Sequence, residues 1–334
     1  MIEFESTAAP VVRCLESDVA GRRVAAVAVP YSGEVGTAES FRFDPIERRL
    51  FARRPAGRVT VGPADTDAWS AAVSRCPAGP VLVGPSSPAE EIRGAWAAAA
   101  EGTIRSGRGA FLLDPDGAGL PAAAPGRLVL LVSWSPGAGE ADFERRLSAG
   151  SRDGVAAGGL LPILPGWTDE AAFLERWFAR AAAAGAHFVA AIAPAEDGEA
   201  RRTIVEARAA LEPAAADEYF RTVHHGDWAA SVRSGLRRFR EEARRRGLPA
   251  FPPRPRGEGE PEGNSAAAAR LEERAVELEE DEHRSALLQA AARWIDESGR
   301  DLAPVVREGN FGKVFPFGSL AAEAEAAFRT GSGT

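Results

Sequence analysis

Residues 158–193 read GGLLPILPGWTDEAAFLERWFARAAAAGAHFVAAIA, and this stretch decides the fold class. Gly158 to Leu164 is an apolar run of the length of a buried strand. Pro165-Gly166-Trp167 turns the chain. Thr168 is placed to cap a helix, and Asp169 and Glu170 in its first turn suit the positive end of a helix dipole. Phe173, Leu174, Trp177, Phe178 and Ala181 recur at helical spacing and make one apolar stripe. Gly185 stops the helix, and His187 to Ala193 is a second apolar run. Strand, turn, helix and strand in this order form the repeating unit of a parallel sheet covered by helices.

Outward from this unit, apolar runs at 24–29, 59–61, 81–83, 109–113 and 127–133 alternate with helical patterns. The expected fold class is therefore α/β. Residues 252–264, Pro-Pro-Arg-Pro-Arg-Gly-Glu-Gly-Glu-Pro-Glu-Gly-Asn, have the composition of a linker. Beyond them, 265–296 read as one helix, heavily charged from Arg270 to Arg284. Its second half carries an apolar stripe of Leu287, Leu288, Ala291, Trp294 and Ile295. Such a face either meets a partner or folds back on its own domain. Residues 310–318 are aromatic and Gly-rich. The expected division is a domain over 1–251, a linker over 252–264 and a helical segment over 265–334, with no internal repeat.

The chain has 334 residues, 45% apolar and 26% charged, the composition of a soluble globular protein. No apolar run approaches the roughly 20 residues that span a bilayer. No basic-then-apolar leader opens the sequence, so the expected location is cytoplasmic. A formal charge of −8 weighs against a general nucleic-acid binder. Of 40 basic residues only Lys313 is a lysine. With so much Ala and Gly, that pattern reads as the codon bias of a GC-rich genome. Cys14 and Cys76 are the two cysteines, too few for a four-cysteine cluster or zinc site. They read as reduced structural thiols.

Residues 29–43, VPYSGEVGTAESFRF, follow the apolar run ending at Val29. They resemble the cluster loop of radical SAM proteins, in particular the spore photoproduct lyase-like branch. There a strand leads into Asn-Pro-Tyr-x-Gly and then Cys-x3-Cys-x2-Cys. Pro30, Tyr31, Ser32 and Gly33 match the approach, and the three cysteine positions fall on Glu34, Ala38 and Phe41. Leu161 to Asp169 resembles the Pro-x-x-Pro-Gly-x-Thr/Asn-Asp turn after the family's fifth barrel strand. Val81 to Glu90 resembles the second strand and its turn, without the family's aspartate and tyrosine. Val132-Ser133-Trp134-Ser135 stands where the family has Val-Ser-x-Thr on strand four. Together these matches cover about residues 20–250.

The resemblance implies a partial (βα)6 TIM-type barrel of the radical SAM kind with a helical C-terminal extension. Iron–sulfur clusters of this kind are held by cysteine thiolates. Glu34, Ala38 and Phe41 supply none, so no iron–sulfur cluster is expected; residual SAM binding stays open. Phe41 and Phe43 are expected to fill the space the cluster occupies in the family. The implied function is that of a pseudoenzyme: a partner or substrate-presenting subunit of an intact radical SAM enzyme. One alternative is a cluster-free enzyme using the barrel mouth for acid–base chemistry, with Glu34, His224 and His225 as catalytic candidates. The other is an Arg-rich nucleic-acid-binding protein related to DNA repair.

Ser87-Pro88-Ala89-Glu90 forms a capping box with proline at the first helical position. Its free amides would face the strand ends, where parallel barrels bind ligands. Ser86, Ser87, Ser133 and Ser135 are therefore ligand-binding candidates, set against plain helix capping. His224 and His225 are adjacent and point different ways on a helix, so both cannot hold one metal, and no metal site is expected. Asp227 is placed to cap a helix beginning at Trp228. Arg233, Arg237, Arg238, Arg240, Arg244, Arg245 and Arg246 make a basic helix interrupted by Glu241 and Glu242. It reads as a solvated face or a phosphate patch.

Overall fold

The computed structural model describes residues 101–113, 126–134, 140–151, 155–192 and 204–329, with breaks at 207, 210–211, 226, 254 and 279–280. It also describes the backbone of four strands nearer the N-terminus. Two compact units emerge: Met1–Phe51 with Pro55–Pro255, and Ala52–Arg54 with Arg256–Thr334.

The first unit is α/β. Its eight-stranded sheet runs in sequential order. The strands are β1 (Arg13–Val19), β2 (Arg22–Ala28), β3 (Gly57–Val61), β4 (Val81–Pro85), β5 (Ala110–Leu113), β6 (Leu128–Ser133), β7 (Ala156–Pro162) and β8 (Phe188–Ile192). β1 lies antiparallel to β2, with Cys14 opposite Val27. From β2 onward every neighbour is parallel: Val27 faces Val59, Val59 faces Val83, Leu112 faces Leu130, and Gly159 faces Val189. Helix α1 (Glu140–Ser151) carries the chain from β6 to β7, and α2 (Ala171–Ala183) from β7 to β8.

All seven expected strands are present. β1 is additional, and β7 begins and ends two residues earlier than the apolar run suggests. Strands β5 to β8 are buried on both faces. Leu128, Leu130 and Val132 of β6 join Phe143 and Leu147 of α1 and Leu174, Trp177 and Phe178 of α2 in the main core. Val129 and Leu131 point the other way, into a cluster with Phe111, Leu160, Phe188 and Ala190. This alternation is the period of two that a strand imposes. Gly158 and Gly159 make close packing possible on both sides. A Cβ on Gly158 would lie 2.3 Å from the Phe188 ring, and one on Gly159 would lie 2.8 Å from Phe143.

Leu174, Trp177, Phe178 and Ala181 form the buried stripe of α2, as their spacing predicts. Phe173 at its edge meets Trp134 edge-on, with centroids 5.0 Å apart. Gly185 ends the helical region with φ of 84°. The capping role expected of Thr168 is corrected: Glu170 is the N-cap, with no side-chain cap bond. Thr168 is buried and serves the turn before the helix, described below.

Two further helices close this unit, α3 (Ala216–His225) and α4 (Trp228–Arg245). Asp227 caps α4 by accepting from the Ala230 amide at 2.9 Å, as the sequence predicts. Trp228, Val232, Leu236, Phe239 and Ala243, spaced three or four apart, are its buried face.

The second unit is helical: α5 (Glu262–Glu277), α6 (Glu282–Glu297), α7 (Ala303–Arg307), α8 (Phe311–Val314) and α9 (Ala321–Arg329). The single helix expected over 265–296 is two helices. Asp281 caps the second by accepting from the Arg284 amide at 3.0 Å. The two run antiparallel, because Asn264 reaches the Ile295 carbonyl at 3.2 Å while Ser285 reaches that of Ala275 at 2.8 Å. The expected linker also loses its last residues to α5. Asn264 is buried, and it additionally bonds the Arg300 carbonyl at 2.8 Å and the Leu302 amide at 2.9 Å. Leu288, Ala291 and Ile295 are buried in this unit's own core with Leu271, Phe311 and Phe315, and Leu287 and Trp294 pack at its margin. Of the two outcomes the sequence leaves open for that stripe, it folds back within its own unit, where α5 and the aromatic segment after α7 cover it.

Among the described residues no helix is long and apolar enough to cross a membrane.

Candidate functional site

Parallel sheets place their ligand sites beyond the C-terminal ends of the strands. At the end of β7 the turn 162–169 is held by its own side chains. The Thr168 hydroxyl donates to the Pro162 carbonyl and accepts from the Leu164 amide at 2.8 Å. Gly166, at φ of 73°, adopts the left-handed conformation the turn needs. Its amide donates to Asp169 Oδ1 at 2.7 Å. Asp169 Oδ2 pairs with Arg238 of α4. Gly235 permits that approach, since a Cβ there would lie 2.5 Å from Ile163 and 3.0 Å from the Asp169 Cβ. Arg238 sits one helical turn beyond Gly235, on the same face of α4.

The turn also presents Trp167, which is buried. The Arg208 guanidinium lies over its ring, 4.7 Å from the centroid. Tyr219 of α3 meets the same ring edge-on, with centroids 5.9 Å apart and planes at 83°. Arg208 is also 5.9 Å from the Tyr219 ring centroid. Its two terminal nitrogens bond Glu212 at 3.0 and 2.9 Å. Glu212 is 56% exposed and Arg208 only 13%, so the carboxylate neutralises the guanidinium from the solvent side.

Tyr219 is 4% exposed. Burial pushes its hydroxyl well above the ordinary phenol range, against the pull of the Arg208 charge and with a smaller push from Asp169. It is a protonated donor at neutral pH. Among the described residues nothing bonds the buried Tyr219 hydroxyl or the buried Arg208 Nε. Buried polar atoms are rarely left so. This cluster contains no histidine or cysteine. What it offers is hydrogen-bond donation between aromatic walls.

The residues singled out from sequence fall elsewhere or only border this cluster. Glu34, Ala38, Phe41, Ser86, Ser87 and Ser135 lie outside the described residues, as do Phe43, Glu90 and Cys76. Ser133 is the last residue of β6, half-buried, opposite Leu160; its carbonyl accepts from Arg146 at 3.1 Å. His224 is exposed on α3 with its ring 4.4 Å from that of Phe220, on the side of the helix away from buried Tyr219 and Val223. His225 ends α3, and its side chain is outside the described residues. Among the described residues no group of three or more His, Cys, Asp or Glu is placed to hold a metal ion.

The basic helix is largely paired. Arg238 meets Asp169, and Arg245 and Arg246 both meet Glu242, at 2.6 Å each. The hydrogen bond from Arg245 leads in holding the Glu242 carboxyl down at about 2, with Arg246 adding to it against a smaller burial cost. Arg246 also reaches the Glu175 carbonyl of α2 at 3.2 Å.

Sequence reasoning reached Trp167, Thr168 and Asp169 through their turn, but missed Arg208 and Tyr219. Tyrosine is scarce here, two in the chain, and Tyr219 stands four residues before Val223 on one helix face. That scarcity and spacing were the available signal. Arg208 had none, being one arginine among many.

The fold places the first unit in the α/β class, with a donor cluster at the strand ends. No protein-family model matches the chain, and no curated protein or solved structure matches it.

Proposed function

We propose that this chain is a non-catalytic relative of the radical SAM enzymes, acting as a partner or substrate-presenting subunit of an active one. The observation that carries the reading is where residues 29–43 attach. β2 is the first strand of the parallel series, and it ends at Ala28. The segment resembling a cluster loop therefore leaves the C-terminal end of the first parallel strand, where that family keeps its cluster. At the three ligand positions Glu34, Ala38 and Phe41 offer no thiolate.

A partial barrel of this kind draws support from three features. The parallel strands follow one another without reordering. Phe111, Val129, Leu131, Leu160, Phe188 and Ala190 are buried on the face opposite α1 and α2, in a cluster made of strand residues. Gly158 leaves room for the Phe188 ring on that face. The series differs from the family's six strands by one, because β3 pairs between β2 and β4.

The acid–base alternative needs a second group at the strand ends, and the exposed position of His224 gives it little support. The nucleic-acid alternative needs unpaired cations, whereas Arg238, Arg245 and Arg246 are each matched by a carboxylate.

The test is whether an intact radical SAM enzyme is encoded beside this chain and, where it is, whether the two co-purify anaerobically. Stoichiometric association that changes the enzyme's substrate turnover is the expected result. An enzyme fully active alone and showing no association would overturn the proposal.

A further inference from the structure

We propose that the Trp167–Arg208–Tyr219 cluster binds an uncharged planar carbonyl compound of the amide class, with the Tyr219 hydroxyl and Arg208 Nε as donors to its oxygen. The argument starts from the two donors. Both are buried, and neither has an acceptor among the described residues. A buried donor left alone costs free energy that an incoming acceptor recovers. Burial raises the Tyr219 hydroxyl further above the ordinary phenol range, so at neutral pH it stays protonated and able to donate.

Charge selects the class of acceptor. Arg208 is neutralised by Glu212, and Arg238 by Asp169. These four side chains therefore carry no net charge to offset the desolvation of an anion, which is far costlier to bury than a neutral carbonyl. The Trp167 and Tyr219 rings pack edge to face at 83° with the Arg208 guanidinium over the Trp167 ring, so the two donors stand among aromatic walls that favour a neutral acceptor over a charged one. The location agrees as well, since the turn that carries Trp167 follows the C-terminal end of β7. This inference does not depend on service to a radical SAM enzyme, so a failed co-purification leaves it intact.

The experiment uses the full chain and three probes: δ-valerolactam, benzoate and inorganic phosphate. Binding is followed by ligand-observed NMR and by the Nε–H resonance of Arg208, assigned from its loss in Arg208→Lys. The decisive variant is Tyr219→Phe, which removes one oxygen. Because that oxygen has no partner among the described residues, the variant is expected to melt at or above the wild-type temperature. It should bind lactam about tenfold more weakly, the worth of one good hydrogen bond. Saturable lactam binding that shifts the Arg208 resonance and is weakened in this way supports the proposal. Equal binding by Tyr219→Phe, tighter binding of benzoate or phosphate, or no lactam binding overturns it. A Tyr219→Phe protein melting well below wild type also overturns it, by revealing an internal partner for the hydroxyl.

Discussion

Thr168→Val is the sharpest probe of how the site is built. Valine keeps the shape of threonine and replaces the hydroxyl with a methyl. That hydroxyl makes two buried bonds, donating to the Pro162 carbonyl and accepting from the Leu164 amide at 2.8 Å. The bond to the Pro162 carbonyl is worth about 1 kcal/mol net, and the Leu164 amide, left buried and unpaired, costs roughly 1–3 kcal/mol. The expected loss is about 2–4 kcal/mol. For a unit of this size that is roughly 5–15 °C in melting temperature. Thr168→Ser keeps the hydroxyl and loses one methyl, so its loss should be nearer 1 kcal/mol. Urea unfolding followed by near-ultraviolet circular dichroism reads both, because Trp167 is adjacent and buried among aromatic rings. A Thr168→Val protein within about 0.5 kcal/mol of wild type would refute the reasoning. So would equal losses for valine and serine, which would assign the effect to packing.

Two further outcomes follow from particular atoms. Gly235→Ala should destabilise the first unit by about 1–3 kcal/mol, measured by the same unfolding assay, because the new methyl would lie 2.5 Å from Ile163. Burial raises the Glu273 carboxyl to about 7, with Glu277 adding to the rise and Arg270 opposing it. Its folded form holds a proton that the unfolded chain releases near 4.5. The stability of the second unit should therefore fall as pH rises from about 4.5 to about 7. Glu273→Gln should flatten that fall in melting curves taken across the window, and an unchanged slope would count against the assignment.

The parallel strands were legible because each is a short apolar run bounded by turn residues. β1 was not, because Arg-Cys-Leu-Glu-Ser-Asp-Val at 13–19 mixes charge and apolar residues without clean alternation. It pairs on one side only, with β2, at the end of the sheet order. Thr168 misled for a physical reason. Thr-Asp-Glu before an apolar stripe satisfies the local pattern of a helix cap, yet the same hydroxyl can serve a preceding turn, and contact with Pro162 decides between them. The helix over 265–296 was read through its break because Leu-Glu-Glu-Asp at 278–281 contains neither Gly nor Pro. Its apolar stripe was visible, but which surface would cover it depended on Phe311 and Phe315, decades of residues away from any local pattern. The site divides in the same manner. Trp167 and Asp169 belong to a recognisable turn, whereas Arg208 and Tyr219 join it only through tertiary packing.

The central claim is that the segment after the first parallel strand has the place of a cluster loop without its chemistry. Anaerobic reconstitution of the purified protein with iron and sulfide, followed by iron analysis and the visible spectrum, tests it most directly. The account predicts iron far below stoichiometry and no thiolate-to-iron absorption in the wild-type protein. It predicts cluster uptake once Glu34→Cys, Ala38→Cys and Phe41→Cys are combined. A stoichiometric cluster in the wild-type protein would contradict the account, and a triple variant that takes up no cluster would contradict the placement of the loop.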